Sequence, residues 1–237
     1  MRKQLNRHTA GLVLAGAGVD AWGVARNDPQ FPLAPPLPSA ISIMMRLSGA
    51  VLQEIATGPT AAYLAECRRV DQALQEAAAA LERAIVDTDH QTISIPAATG
   101  GEAKHPFSHK EVAARAGLGW IGKTALFVSR EFGPAVRLAT VFTDLPLPPG
   151  KPIRSGRCGA CVACLRACPA GAGRNITWQA GATQTDQYGV DACGRHTASA
   201  HTPKDHICAI CIGVCPLSQC GRIVAVAPQE TRRQRSG

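Results

Sequence analysis

Cysteine carries the chemistry of this chain, and its spacing says which chemistry. Nine of the ten cysteines lie between Cys158 and Cys220. The first four run Cys158-x-x-Cys161-x-x-Cys164-x-x-x-Cys168, with Pro169 directly after. This is the bacterial ferredoxin run for 4Fe–4S binding, whose fourth cysteine ligates the other of two clusters. Closely spaced thiolates wrap one cubane face, and the proline then turns the chain away. A second set follows: Cys193, then Cys208-x-x-Cys211-x-x-x-Cys215 with Pro216 after it. The eight make two full sets. Crossed ligation gives Cys158, Cys161, Cys164 and Cys215 to one cluster, and Cys168, Cys193, Cys208 and Cys211 to the other. Cys220 is left over.

Zinc is the competing reading. It prefers isolated tetrahedral sets built on Cys-x-x-Cys knuckles, which a continuous run of this kind matches poorly. Disulfides belong to oxidising compartments, and the chain shows no clear export signal. Its start, MRKQLNRHTAGLVLAGAGVDAWG, has a basic front, a short apolar core and Ala15-Gly16-Ala17 as a cleavage-like site. It reads better as an amphipathic first helix leading to a strand near residues 21–25. No apolar run approaches the ~20 residues that span a bilayer, so the expectation is a cytoplasmic protein with no membrane partner. His196, His201 and His206 fall between Cys193 and Cys208. They read as loop residues, because a histidine ligand would have to displace an available thiolate.

The charge is uneven. Residues 1–150 hold 14 Lys and Arg against 13 Asp and Glu, whereas residues 151–237 hold 11 against 4. Eight thiolates around two oxidised cores of about +2 each total roughly −4. The basic surplus therefore largely offsets the clusters and is weak support for nucleic-acid binding. Arg222 with Arg232, Arg233 and Arg235 would form what basic face remains.

A second motif competes for attention. In AGLGWIGKTAL, residues 116–126, Gly117-x-x-x-x-Gly122-Lys123-Thr124 satisfies the phosphate-loop pattern, and Gly117-x-Gly119-x-x-Gly122 the dinucleotide pattern. Both need a strand before the glycines and a helix after them, so that the helix N-terminus meets the phosphate. Here the order is reversed: SHKEVAARA reads as a helix, and residues 125–129 lean towards strand. The glycines instead allow tight turns and close backbone approach to something bulky.

The elements that must position these groups follow from periodicity and turn signals. NDPQFPLAPPLP, residues 27–38, is a loop, and residues 39–47 read as a buried strand. Pro59 suits the first turn of a long helix whose apolar stripe is Tyr63, Cys67, Val70, Leu74, Ala77, Leu81 and Ile85. Cys67, on that stripe, reads as a packed hydrophobe. A short strand is expected at residues 91–95, and Gly100-Gly101 breaks the chain. Ser108 and Glu111 form a capping box for a helix ending at Gly117. Residues 136–142 alternate as a strand. DLPLPPGKPIRSG, residues 144–156, is a Pro/Gly linker. The expected division is an α/β domain over residues 1–150, a cluster module over 151–221 and a basic tail over 222–237.

These motifs together resemble the epoxyqueuosine reductases and their short iron–sulfur relatives. The resemblance is carried by HKEVAARAGLGWIGKTALFV with RLATVFTDL, then by CGACVACLRACPAGA and CAICIGVCP. It runs from about residue 20 to about residue 217. It implies an α+β fold: an α/β sandwich domain that binds cobalamin, as in reductive dehalogenases, followed by a ferredoxin-like module with two 4Fe–4S clusters. Electrons would pass from a reduced ferredoxin- or flavodoxin-type donor through the clusters to cobalt, which reduces an epoxide on a modified tRNA nucleoside. On the same resemblance Gly117, Gly119, Trp120, Gly122 and Lys123 lie near the cofactor. The family's general-acid aspartate falls at Ala103. Glu102, beside it, is the residue with the acid chemistry that place needs. Ala103 and the short stretch after Cys220 set the expectation against tRNA. The alternatives are a ferredoxin-like electron carrier with no substrate of its own, and a nucleic-acid-binding module with a structural cluster.

Overall fold

The N-terminal half is built on a sheet with helices on both faces. The computed structural model describes residues 5–27, 35–97, 108–200 and 207–219. Residues 28–34, Gly100-Gly101, Glu102, Ala103, His201, His206, Cys220 and the basic tail 222–237 lie outside the described residues.

Helix α1 (Arg7–Gly16) starts at Asn6, whose Oδ1 accepts from the Thr9 amide at 3.0 Å while Thr9 Oγ1 accepts from the Asn6 amide at 2.9 Å. Strands β1 (Ala21–Arg26) and β2 (Ser39–Arg46) pair antiparallel, Gly23 opposite Ser42. A one-turn α2 (Gly49–Leu52) leads to α3 (Ala61–Val86). Then come β3 (Thr92–Ile95), α4 (His109–Arg115), a hairpin of β4 (Gly119–Ile121) and β5 (Phe127–Ser129), and β6 (Val136–Thr143). The main sheet has the order β1-β2-β6-β3, antiparallel throughout.

Both faces of that sheet are covered, which is why β2 reads as a continuous apolar run. Ile41, Ile43 and Met45 join Ala139 and Val141 of β6 against the stripe of α3. Met44 points the other way, into a second core with Ala113 and Ala114 of α4. Small residues let α4 sit tightly on the sheet: a Cβ on Gly23 would lie 2.9 Å from the Ala116 carbonyl oxygen. The mixed α/β sandwich expected from the sequence is therefore present.

All seven stripe residues of α3 are buried, Cys67 among them, and burial raises the Cys67 thiol pKa. Asp71 is buried too. It receives a two-pronged hydrogen bond from Arg137 on β6, at 2.7 Å to each carboxylate oxygen. Pro59 is not in the first turn. Thr60 is the N-cap, its Oγ1 accepting from the Tyr63 amide at 3.1 Å, and a hydroxyl that can cap sets the start one residue beyond the proline. The capping box at Ser108 does not form either: Ser108 makes no side-chain cap bond, and the Glu111 carboxylate pairs with Arg115 at 3.7 Å.

Residues 144–156 run across the sandwich in contact with it. The Gly150 amide donates to the Val24 carbonyl at 2.7 Å and the Ile153 amide to the Ala114 carbonyl at 2.9 Å. Leu145, Leu147 and Ile153 are buried. The cysteine-rich part that follows has little regular structure: α5 (Ala163–Arg166), α6 (Gln184–Gln187), α7 (Val190–Ala200), α8 (Ile210–Gly213) and α9 (Pro216–Gln219). It docks where side chains are missing. A Cβ on Gly213 would meet Ile55 at 2.9 Å, and one on Gly133 would meet the backbone of Leu217 at 2.5 Å. Among the described residues no helix is long and apolar enough to cross a membrane.

Candidate metal centre

The glycine-rich segment packs against the cysteines. Helix α4 ends at Ala116, and Gly117 follows with φ +82°, a left-handed conformation that glycine adopts without strain. The hairpin β4–β5 comes next, so helix precedes glycines and strand follows, as the rejection of a phosphate loop requires. Gly119 lies flat against β5, where a Cβ would collide with the Val128 carbonyl oxygen. A Cβ on Gly122 would come within 2.9 Å of Val128 and 3.6 Å of Cys158 Sγ. The turn closes through the Gly122 amide to the Leu126 carbonyl, 2.8 Å, and the Ala125 amide to the Gly122 carbonyl, 3.0 Å.

That turn aims three side chains at the cysteine-rich part. Trp120 is buried, and its Nε1–H donates to Cys158 Sγ at 3.5 Å. Lys123 is buried rather than a surface lysine, and its Nζ donates to the Gly159 carbonyl at 2.8 Å. Thr124 is buried and close enough to Cys164 and Cys211 to lower their thiol pKa slightly against the effect of burial. The sequence reading picked out Trp120 and Lys123 but passed over Thr124. The Gly-Lys-Thr order matches a phosphate loop, but here a helix precedes the glycines and a strand follows them.

The nine cysteines among the described residues are all free thiols. Eight of them divide by proximity. The Cys164 thiol is raised by burial and then by Cys158 and Cys161. Burial pushes Cys215 up to about 11, with Cys158 and Cys164 adding to it. Cys208 is raised by burial and by Cys193 and Cys168. Burial pushes Cys211 up to about 12, aided by Cys208, Cys164 and Cys193. Tyr188 packs against Cys193, Cys211 and Cys168, and its hydroxyl bonds to Cys193. The neighbours thus fall into Cys158, Cys161, Cys164 with Cys215, and Cys168, Cys193, Cys208 with Cys211. Cys164 and Cys211 meet at the border.

Burial first, then neighbouring sulfurs, favours the uncharged form of Cys164, Cys208, Cys211 and Cys215, and a positive iron–sulfur core would let them ionise as ligands. The surroundings are prepared for that. Besides the Trp120 indole, the Ala172 amide donates to Cys168 Sγ at 3.5 Å. Backbone N–H groups of Ile210 face Cys208, and those of Leu217 and Ser218 face Cys215. Donors aimed at sulfur suit thiolates. Among the described residues no three of His, Cys, Asp or Glu gather closely enough to hold one metal ion.

No family model matches the chain. A 67-residue segment is 45% identical to an epoxyqueuosine reductase of Yersinia pestis, covering 28% of this chain and 16% of that protein. A solved epoxyqueuosine reductase, in complex with an epoxyqueuosine-modified tRNA stem loop, superposes over 92% of this chain with a TM-score of 0.63 and 21% identity. The chain is similar to epoxyqueuosine reductases in one segment of sequence and in fold. A reductive dehalogenase whose structure suggests a mechanism for B12-dependent dehalogenation shares the fold, with a TM-score of 0.72 and 17% identity over 92% of this chain. The chain spans 66% of the solved reductase and 33% of the dehalogenase.

Proposed function

We propose that this chain is an iron–sulfur oxidoreductase that passes electrons through two 4Fe–4S clusters to a reductive site in the sheet domain, where cobalamin binds. One observation supports the cluster part most directly: eight free thiols in two neighbouring sets, each approached by N–H donors. The clusters would supply one-electron transfer at low potential, and cobalamin a strong reductant able to break a carbon–oxygen or carbon–halogen bond. The cobalamin part draws on the fold shared with a B12-dependent dehalogenase. No residue among those described is assigned to the corrin, beyond the expectation that the segment from Gly117 to Lys123 lies near it.

What the chain's own residues do is plainer. Cys158, Cys161, Cys164 and Cys215 would hold one cluster, and Cys168, Cys193, Cys208 and Cys211 the other. Trp120, Ala172, Ile210, Leu217 and Ser218 direct N–H groups at their sulfurs, which stabilises the more negative, reduced state. Trp178, Tyr188 and Ile153 join Trp120 in a core beside the cysteines that shields them from water. The electron source would be a ferredoxin- or flavodoxin-type donor. A reductase of this fold was solved with a tRNA stem loop, which makes tRNA the substrate class to test first. Glu102 would supply the acid that Ala103 lacks.

The test begins with protein purified without oxygen. Iron and sulfide are counted, hydroxocobalamin is added, and the mixture is desalted. About eight irons per chain with the corrin spectrum retained supports the proposal. Eight irons with no corrin retained sinks the cobalamin step, and zinc in place of iron sinks the cluster assignment.

A further inference from the structure

Lys123 is buried with nothing negative to meet it. Only 6% of it is exposed, and its Nζ donates to the Gly159 carbonyl at 2.8 Å. No carboxylate among the described residues pairs with it. Lysine is almost never fully buried without a partner, because one carbonyl replaces little of the water an ammonium gives up.

The bonded carbonyl fixes where the charge sits. Gly159 lies in the loop between Cys158 and Cys161. Standard backbone dimensions then place Nζ within about 10 Å of the Cα atoms of both cysteines. The other end of the side chain is fixed too. Gly122 precedes it, and a Cβ there would lie 3.6 Å from Cys158 Sγ. The turn itself is held by the Lys110 ammonium on the Ala125 carbonyl, at 2.8 Å. Lys123 thus leaves the backbone beside one ligand thiol and ends on the loop that carries the next. On the outer side Gly159, Ala160 and Cys161 are exposed, and so is Arg157. Water and salt screen a charge placed there, and screen a buried one much less.

Four thiolates on an oxidised core of about +2 total roughly −2, and reduction adds one more negative charge. We propose that Lys123 is the buried counter-charge of the cluster held by Cys158, Cys161, Cys164 and Cys215, and that it raises the reduction potential of that cluster. This rests on the two-cluster reading above. On reduction the cluster takes one electron from its donor, and Lys123 keeps its proton throughout. The attraction falls with distance, so the cluster whose loop Lys123 holds feels it more than the other. Lys123 is a positioning residue: it fixes the loop through Gly159 and the potential through its charge.

The experiment is potentiometric titration of the full, anaerobically loaded chain, with paramagnetic resonance reading each reduced cluster. Lys123→Met removes the charge and the bond. Lys123→Gln removes the charge and keeps an N–H donor. Both lower the potential of the first cluster by about tenfold in its one-electron equilibrium, about 59 mV, and move the second less. Lys123→Arg, which keeps the charge, restores the potential. Should Lys123→Met fail to hold iron, Lys123→Gln still separates charge from anchoring. If Lys123→Gln carries about eight irons and its first potential is unmoved, the counter-charge is refuted and the proposed function stands. Loss of iron from Lys123→Arg as well as from the other two would also refute it, since the site would then need the shape of lysine and not its charge. If the wild-type chain takes up no cluster, the proposed function falls and the counter-charge with it.

Discussion

Cys215 lies far along the chain from the Cys-x-x-Cys-x-x-Cys run, yet its thiol is neighbour to Cys158 and Cys164. Cys208 is neighbour to Cys193 and Cys168. Crossed ligation is the arrangement proposed above, and paired substitutions test it more sharply than single ones. Any single Cys→Ser removes one ligand from one cluster under either scheme. Cys158→Ser with Cys215→Ser removes two ligands from the same crossed cluster and leaves the second set whole. Each cluster holds four irons, so the loaded chain should keep about four. Cys158→Ser with Cys168→Ser strikes both sets and should leave close to none. If ligation instead followed sequence order, the two results would be exchanged. The assay is iron and acid-labile sulfide per chain after anaerobic reconstitution, with paramagnetic resonance to identify the surviving cluster. About four irons in the Cys158/Cys168 variant and none in the Cys158/Cys215 variant would refute the crossed arrangement.

Other perturbations probe the frame around the centre. Asp71→Ala leaves the Arg137 guanidinium without its carboxylate and should cost about 3–5 kcal/mol. At about 2–4 °C per kcal/mol for a chain of this size, that is roughly 6–20 °C in unfolding midpoint, and a loss under about 1 kcal/mol would contradict it. Burial lowers the Lys110 ammonium pKa to about 8. The unfolded chain then binds more protons between pH 8 and about 10.4, so wild-type stability rises across that window. Lys110→Met should abolish that rise and stabilise the protein at pH 7 by up to about 3 kcal/mol, less about 1 kcal/mol for the lost bond to the Ala125 carbonyl. Equal differences in urea midpoint at pH 7 and pH 10 would contradict the burial account. Gly119→Ala should prevent the hairpin from closing at about 1–3 kcal/mol and lower iron retention, since the same hairpin carries Trp120 and Thr124.

The periodic elements could be read from the sequence because their residues answer to local rules. The stripe of α3 and the alternation of β6 each report a face turned towards a core. The cysteine spacing also suggests a grouping, since the offset of Cys168 and Cys215 is a property of the motif. Other features depend on contacts that no local pattern records. Asp71 sits on an otherwise apolar stripe and is tolerated only because Arg137, on a distant strand, reaches it. The box at Ser108 fails because Glu111 has a better partner one turn away. Thr124 looked like part of a phosphate motif, and the cysteines near it, Cys164 and Cys211, come from the separate short helices α5 and α8. Lys123 could be told from a surface lysine only by the carbonyl waiting for it.

The stretch of residues 144–156 has the composition of a tether, and its hydrogen bonds deny it that role. The Val24 and Ala114 carbonyls take their donors from it, and the hairpin beyond α4 walls one side of the thiol sets. A detachable ferredoxin can be lifted from one protein and fused to another. Here a cut after residue 150 would strip the sheet domain of partners and leave the cysteines open to solvent where Trp120 and Thr124 had stood. The cysteine-rich third is a wing sharing a wall with the main house. Whatever moves it between proteins, by recombination or by design, has to carry the sheet along.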